Sequence, residues 1–398
     1  MRLNRSIFYP PFFAAVLSFQ LVPTALQAQQ KLSMDEAVQM AIVNHPAIKA
    51  ADLRVEQQRQ LEGSALNITN PELEYEKENN SSFGLGVRQE FSFPTVYVAQ
   101  SKLQKERTRL AEAQKNITVN DLRRSVRQSY IQTQYLHGLA AEYKVQDSTY
   151  QRFAQAAKRQ FDAGQIDFLQ TTFAEAKGSE IHNFYQKTEI DYQYSLESLR
   201  ILIGLAEKPD VGYIRRLPAI DQTDTTSVVN PTIVYYTQQT AVELRNLKLE
   251  RNRVLPDLFV GYQKNSPFYT DAFSRFRAGL TIPLWFWQYR GHIKSANSGY
   301  KAAEQVGMAQ KLTFNTEFQQ ATGGVNSNAQ LLEFYEKTGL AQAERIVSTA
   351  SRLFTSGQTD YVGFIRNLAD AYAIRLRYLE VIRDYNNSVT ILNSLIGR

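Results

Sequence analysis

The sequence predicts a mainly α-helical protein with a small β part, built from two copies of one structural unit. "RQFDAGQIDFLQ" at 159–170 recurs as "RLFTSGQTDYVG" at 352–363, an offset of 193 residues. Residues 96–160 contain a single Gly and no Pro, and their apolar residues follow helical spacing. Each half also has two runs of alternating polar and apolar residues, which is typical of a β-hairpin.

The offset between the two halves indicates a tandem duplication. The value of 193 also relates "LRILIG" at 199–204 to "LNSLIG" at 392–397. Earlier in each half the offset is 185, because Pro46 corresponds to Pro231 and Pro71 corresponds to Pro256. We therefore predict eight additional residues in the second half and place them at 265–275, in the loop of its β-hairpin.

The N-terminal segment has the features of a secretory signal peptide. Arg2 and Arg5 precede the apolar run "FFAAVLSFQLV", and a small residue, Ala28, marks the expected cleavage point. The chain has 0 Cys, so a lipidated cysteine, disulfides and thiolate metal sites are not expected. We divide the chain into a signal peptide at 1–28, a first repeat at 29–204, an inter-repeat linker at 205–229 and a second repeat at 230–398.

Each repeat is expected to begin with short helices that lead into a β-hairpin. Ser33 and Glu36 are spaced as a capping box. Asn44 and Asn230 are predicted N-caps, each shortly before a proline that suits the first helical turn. The hairpin strands are predicted at 71–77, 85–93, 257–264 and 277–286.

A long outgoing helix and a shorter return helix are expected after each hairpin. At 1.5 Å per residue, segment 96–160 would be about 95–100 Å long. In its counterpart, 289–354, we expect Gly299, Gly307 and "TGGVN" at 322–326 to loosen the helix. The return helices need extension by a short helix to match the outgoing ones. We predict that 169–204 is extended by 231–255, and 361–396 by 46–66.

Such a chain cannot close its own sheet or bury both faces of one helical layer, which fits its mean hydropathy of −0.38. Four strands do not form a barrel of useful size, whereas three copies would supply 12. No segment after the signal peptide approaches about 18 consecutive apolar residues, so transmembrane helices are not expected. Without Arg2 and Arg5 the formal charge of +6 falls to about +4, and no concentrated basic face predicts nucleic-acid binding.

With these features, the sequence resembles the TolC-like outer-membrane efflux family over essentially the whole chain after the signal peptide. The resemblance rests on "LSMDEAVQMAIVNHP", on the hairpin before each long helix and on the glycine turn in each half. It implies a homotrimeric tube, with a 12-stranded β-barrel in the lipid of a Gram-negative outer membrane and an α-barrel in the periplasm. The linker at 205–229 would form the equatorial region of that tube.

The resemblance also implies a function as the passive exit duct of a tripartite pump. Partners would be a periplasmic adaptor (membrane fusion protein) and an RND-type inner-membrane exporter. "RQEFSFPTVYVAQSKLQKE" at 88–106 is most similar to the heavy-metal, CzcC/CusC-type group, so metal cations are the expected substrates. Export of drugs or type I secretion of proteins is the alternative. A coiled-coil adaptor or structural protein is more remote.

Two groups of residues are candidate sites. The family resemblance implies adaptor docking at the helix tips. Gln170 and Gly363 occupy the places where relatives often carry an acidic gate. Asp167 and Asp360 are nearer the turn and have a helix-cap role as the first interpretation. The tip candidates are Gly164, Gln165, Asp167, Gly357, Gln358 and Asp360; the candidates to face the lumen of the barrel are Glu72, Glu74, Glu76, Arg88 and Glu90.

No residue pattern predicts a catalytic, cofactor or metal site. The chain has 4 His and 4 Met, without a cluster that suits a transition metal. For the acids in the strands, pairing with nearby arginines competes with a role in attracting cations. The aromatic group Trp285, Phe286, Trp287 and Tyr289 resembles an interfacial girdle, with packing between helix and sheet as the alternative.

Overall fold

The computed structural model describes residues 31–77, 83–218, 229–265 and 274–398. The predicted signal peptide, residues 219–228 of the linker and the hairpin loop at 266–273 lie outside the described residues. The elements are α1 (Met34–Asn44), α2 (Pro46–Gly63), β1 (Glu72–Lys77), β2 (Phe83–Phe91), α3 (Pro94–Asp162), α4 (Phe168–Ile203), α5 (Pro231–Asn252), β3 (Asp257–Asn265), β4 (Ser274–Thr281), α6 (Phe286–Phe334), a π turn (Tyr335–Gly339), α7 (Leu340–Thr355) and α8 (Tyr361–Leu395).

Two of the predicted helix starts are confirmed. The capping box joins Ser33 and Glu36, whose carboxylate accepts from the Ser33 backbone N–H at 2.8 Å. Asn230 caps α5 by accepting from the Ile233 N–H at 3.0 Å. These contacts satisfy amides that the first helical turn leaves without a partner.

The expected cap at Asn44 is wrong, because His45 caps α2 instead. The His45 Nδ1 accepts from the Ala47 N–H at 3.2 Å. Asn44 is the last residue of α1, and its Nδ2 donates to the Ile203 carbonyl at 3.3 Å. It therefore satisfies a carbonyl at the end of α4, where the helix has no N–H donor of its own.

The short helices continue the return helices of their own repeat. Asn44 joins the start of α2 to the end of α4, and Asn230 donates to the Leu395 carbonyl at 2.8 Å, which joins the start of α5 to the end of α8. This result reverses the predicted pairing of 169–204 with 231–255. In both repeats an asparagine amide at the short helix supplies the donor that the return helix lacks.

The helices form one layer in which each outgoing helix has a composite neighbour. The order across the layer is α2 with α4, then α3, then α5 with α8, then α6 with α7. The 69-residue α3 spans its full length, about 100 Å at 1.5 Å per residue. Buried clusters follow the helix seams in place of one central core. The helices α2 and α4 lie at one edge of this layer, and α6 and α7 lie at the other.

The four strands form one antiparallel sheet in the order β1-β2-β3-β4. Glu72 pairs with Arg88, whereas Asp257 pairs with Thr281. The second hairpin therefore holds eight more residues than the first, as predicted. Its last strand ends at Thr281 and does not continue to residue 286. Pro283, which cannot donate to a ladder, follows closely.

The expectation that glycines loosen the second long helix is wrong. The helix α6 passes unbroken through Gly299, Gly307 and residues 322–326. The interruption is the π turn at Tyr335–Gly339. The helix α6, the π turn and α7 have 49, 5 and 16 residues, one more in total than the 69 of α3.

The π turn absorbs this additional residue and restores the buried face of the helix. Before it, buried Leu332 corresponds to buried Ala140 at an offset of 192 residues. After it, buried Ala350 corresponds to buried Ala157 at an offset of 193. An added residue in an α-helix would rotate every later side chain by about 100°, and a wider turn avoids that rotation.

Deleting Lys337 is therefore expected to convert the π turn to regular α-helix while α6 and α7 keep their buried faces. Deleting Gln319, exposed within α6, should instead rotate Val325 and Leu332 out of the core, at a cost on the order of 3 kcal/mol or more. Thermal unfolding followed by circular dichroism compares the two. Equal losses would contradict the assignment of the additional residue to the π turn.

Candidate functional site

The two glycine turns have the same local geometry. Gly164 and Gly357 both have φ of 71°, a left-handed conformation that favours glycine. Asp167 then caps α4 and Asp360 caps α8, by accepting at 2.8 Å from the backbone N–H of Gln170 and of Gly363 respectively. The predicted cap role is confirmed. Gln170 and Gly363 occupy the two positions at which the resemblance would place an acidic gate. In this chain their backbone N–H groups donate to the two caps.

The structure brings the six candidate tip residues to one end of the helical layer, and all six are exposed. Phe153 of α3 links the two hairpins, with ring centroids 6.0 Å from Phe354 and 4.7 Å from Phe364. Ile166, within the first turn, packs on the same cluster. The two tips therefore form one continuous surface, which is the surface proposed for docking.

The tips differ in the apolar surface that they expose. Phe168 is 71% exposed and Leu169 is exposed beside it, whereas Tyr361, the counterpart of Phe168, is only 4% exposed. The cause is position in the layer: α4 is at its edge, whereas α8 is covered by α3 and α7. The sequence pairs Phe168 with Tyr361 but gives no sign of this difference.

The five candidates for a lumen-facing set share one face of the sheet. The register pairs Glu72 with Arg88, and alternate residues of a strand point to the same side. Arg88 donates to Glu90 at 2.6 Å, so the predicted competition from local pairing is present. Its guanidinium also lies over the Phe259 ring, 4.9 Å from the centroid.

Two of the acids contact strands beyond their direct neighbour β2. Arg277 of β4 donates to Glu74 of β1 at 3.3 Å, and Gln263 of β3 donates to Glu76 at 2.8 Å. The contacts cross β2 where Gly86 has no side chain; a Cβ there would lie 3.5 Å from the Glu74 carboxylate. The glycine therefore leaves room for a polar network over all four strands, which sequence alternation alone did not reveal.

The opposite face of the sheet is apolar and uncovered. Leu73 is 84% exposed, and other apolar side chains on this face are also exposed: Tyr75, Leu85, Val87, Val260, Tyr262, Phe276 and Leu280. At the junction with α6, Trp285 and Trp287 are exposed, with ring centroids 5.1 Å apart. Their exposure favours the interfacial girdle over packing between helix and sheet. Among the described helices, none is long and apolar enough to span a membrane.

The described part of the inter-repeat linker crosses the helical layer as a strap, which we define as residues 210–217. The Tyr130 hydroxyl has two acceptors for its one hydrogen, the Leu32 carbonyl at 2.6 Å and the Val211 carbonyl of the strap at 3.1 Å. Burial, followed by the charges of Asp210 and Glu36, raises the pKa of Tyr130 to about 12. The hydroxyl therefore remains protonated, and a donor, to a higher pH than an ordinary tyrosine.

Three of the four histidines have structural partners. His45 caps α2, and His182 lies 3.2 Å from Asp147. His137 stacks between Tyr192 and Tyr213, with centroids at 4.9 and 4.6 Å. Within the described ranges, no three His, Cys, Asp or Glu side chains are placed to hold a metal ion.

Comparison with known proteins identifies the fold. No protein-family model matches the sequence, and no curated protein sequence matches it significantly. Among solved structures, the Campylobacter jejuni CmeC outer membrane channel matches with a TM-score of 0.79 and 14% identity, over 99% of this chain and 94% of CmeC. CusC, described in terms of transmembrane channel formation, matches with a TM-score of 0.79 and 15% identity, over 98% of this chain and 99% of CusC.

A third match is VceC of Vibrio cholerae, an outer membrane protein, with a TM-score of 0.74 and 12% identity over 92% of this chain and 96% of VceC. The likeness covers both repeats and the sheet. It confirms the predicted fold class, a TolC-like arrangement of long α-hairpins with a small antiparallel sheet.

The cap role of Asp167 can be separated from the role of its charge. Replacing Asp167 with Ala should cost about 1 kcal/mol, because the Gln170 N–H loses its acceptor. Asn retains the acceptor, so Asp167→Asn should remain close to the wild type. Unfolding midpoints of the two variants give the comparison. A loss in the Asn variant as large as in the Ala variant would show that the charge matters more than the cap.

Proposed function

We propose that the chain is the outer-membrane exit duct of a tripartite efflux pump. The observation that carries this proposal is a sheet with one exposed apolar face and one polar face, attached to the end of helices about 100 Å long. A membrane-embedded sheet and a long helical extension suit a conduit that leaves a membrane and crosses an aqueous space. Conduction through such a duct is passive and involves no catalysis.

The proposed assembly is a homotrimer, and the edges of the sheet support it. Within the described strands, β1 and β4 each pair on one side only, and their other backbone groups need partners in lipid. Pairing β1 of one copy with β4 of the next would satisfy them, and three copies would give 12 strands. The glycine-lined polar face would then surround the lumen.

The edges of the helical layer support the same assembly. Apolar side chains remain exposed on its edge helices, and a neighbouring copy would cover them. The residues on α4 and α6 are Phe184, Ile190, Tyr194, Met308, Leu312 and Phe334.

Outer-membrane lipid would contact the apolar face of the sheet. The strands β2, β3 and β4 have 9, 9 and 8 residues, close to the roughly 9–11 that a tilted strand needs to cross a bilayer. Trp285 and Trp287 would lie at the periplasmic interface, where aromatic side chains are favoured. The signal peptide proposed at 1–28 would direct the chain to the periplasm of a Gram-negative cell.

The six tip residues would meet a periplasmic adaptor, which connects the duct to an RND-type exporter. They lie at the opposite end of the helices from the sheet, so a membrane-bound sheet directs the tips toward the inner membrane. The exposed Phe168 and Leu169 add apolar surface beside this polar set. The repeats at 29–204 and 230–398 would each supply one hairpin, and 205–229 the equatorial region.

Metal cations are the proposed substrates, because residues 88–106 are most similar to the heavy-metal, CzcC/CusC-type group. Drugs or secreted proteins are the alternative substrates for the same duct. The polar face places Arg88 and Arg277 among its acids, so selection of the substrate is expected at the exporter.

Cysteines introduced at Gln165 and Gln358 should crosslink to the adaptor, because both side chains are exposed at the tips. A cysteine at exposed Lys105, near the sheet end of α3, is the matched control and should not. On intact cells, the tip cysteines should also be shielded from a reagent that does not cross the outer membrane. Labelling of the tips from outside would contradict the orientation.

Removing the protein from its host should raise sensitivity to divalent metal salts, and the chain should restore resistance only when its exporter is present. Growth on graded metal concentrations measures this effect. Parallel growth on organic drugs is the control for the substrate. Sensitivity to drugs alone would contradict export of metals and support export of drugs. It would not contradict the proposal that the chain is an exit duct.

A further inference from the structure

The two faces of the sheet differ in the charges that they carry. Every acid in the described strands lies on the polar face, together with the arginines that pair with two of them. The apolar face carries two charged residues within the same strands, and both are lysines. Lys77 is the last residue of β1 and Lys264 is the last but one of β3, so both lie at the loop end of the sheet. Their register partners, Phe83 and Leu85, belong to the apolar face.

Both lysines are exposed, and within the described residues neither takes part in an ion pair. The alternation of the strand directs the acid beside Lys77, Glu76, to the opposite face. The side chains of the sheet therefore cannot neutralise these two ammonium groups. An anion that does so has to come from outside the sheet.

The position of the lysines along the strands corresponds to one border of a membrane. Ser274 is the register partner of Lys264, and the chain from Ser274 to Trp285 is at most about 36 Å long at roughly 3.3 Å per residue. At a strand tilt of about 40° this length spans about 28 Å, close to the roughly 25 Å of the apolar band in membrane β-barrels. The lysines and the tryptophans therefore lie at opposite borders of the band. A lysine is costly at the middle of that band and far less so at its border.

The two lysines are close enough to act on one ligand. The strand β2 lies between them, and the spacing of strands and residues places their Cα atoms about 12 Å apart. Each ammonium group is carried on a flexible four-carbon stem. Beside them the Tyr75 ring stacks on Phe83, with centroids 6.0 Å apart. Cationic donors at the edge of an exposed aromatic and aliphatic surface suit an amphipathic anion.

We propose that Lys77 and Lys264 bind the phosphates of lipopolysaccharide, with one site on the outside of each copy of the chain. In the proposed orientation the tips point toward the inner membrane, so the loop end of the sheet lies in the outer leaflet. Lipopolysaccharide fills that leaflet in Gram-negative cells and carries phosphates at the membrane border. Ammonium and phosphate form charge-assisted hydrogen bonds, and the acyl chains would lie on the apolar residues below.

This site rests on the proposed outer-membrane position of the sheet and concerns a bound lipid in place of a transported substrate. Titration of the purified, detergent-solubilised protein with rough-type lipopolysaccharide, followed by native mass spectrometry, tests it. The double variant Lys77→Gln/Lys264→Gln should bind about 30-fold more weakly than the wild type, because each lysine near an anionic surface contributes about a fivefold change in affinity. Lipid A without its phosphates should bind equally to the wild type and to this variant.

A matched control removes the same charge outside the proposed site. Lys102 and Lys105 are exposed on α3, and Lys102→Gln/Lys105→Gln should keep the wild-type affinity. Competition experiments distinguish the source of the phosphate. Neither phosphatidylglycerol nor inorganic phosphate at equimolar concentration should displace the lipopolysaccharide from the wild type.

Three results would overturn the proposal. These are equal affinity of the wild type and Lys77→Gln/Lys264→Gln, equal weakening in the control pair, and displacement by equimolar phosphatidylglycerol, which would indicate a general anionic boundary. Density-gradient fractionation of host membranes separates this test from that of the proposed function. A protein that is present in the outer membrane and does not bind lipopolysaccharide contradicts the site alone. A protein absent from the outer membrane contradicts both.

Discussion

The unpaired edges of the four-stranded sheet impose the main constraint on this molecule. The outer backbone groups of β1 and β4 need partners, and the sheet cannot supply them because its strands pair only in the order β1-β2-β3-β4. The helical layer has the same property, with apolar side chains exposed along α4 and α6. Both incomplete surfaces belong to the same two sides of the chain. These two incomplete surfaces are the basis of our proposal that the chain is one segment of a closed wall.

Duplication explains how one chain forms such a segment with few kinds of contact. Asn44 and Asn230 close the two repeats in the same way, and Asp167 and Asp360 cap equivalent return helices. The repeats differ in the hairpin loop, in the π turn and in the exposure of the first tip. A repeated scaffold thus provides length and closure, whereas the unrepeated features distinguish the two halves of the chain.

The sequence predicts the features that depend on local periodicity. It does not predict the features that depend on contacts between residues far apart in the chain. Residues 96–160 contain one Gly and no Pro, and α3 spans them. The alternation in 71–77 assigns Glu74 and Tyr75 to opposite faces correctly. The strap has no periodic pattern, and its partner Asn386 lies 169 residues from Leu217. The glycines at 322–326 predict an interruption of α6, but packing against α8 keeps the helix regular there. The π turn at Tyr335–Gly339 has no comparable signal in the sequence. His45 replaced Asn44 as a cap because Asn44 is used by the end of α4.

The account depends most directly on closure of the wall by copies of the same chain. The molar mass of the detergent-solubilised protein, measured by light scattering with the detergent contribution subtracted, tests this claim. We predict a mass of three chains, which is the number that gives 12 strands from four per copy. A stable monomer would contradict the account, because the edges of β1 and β4 would then have to be satisfied in some other way.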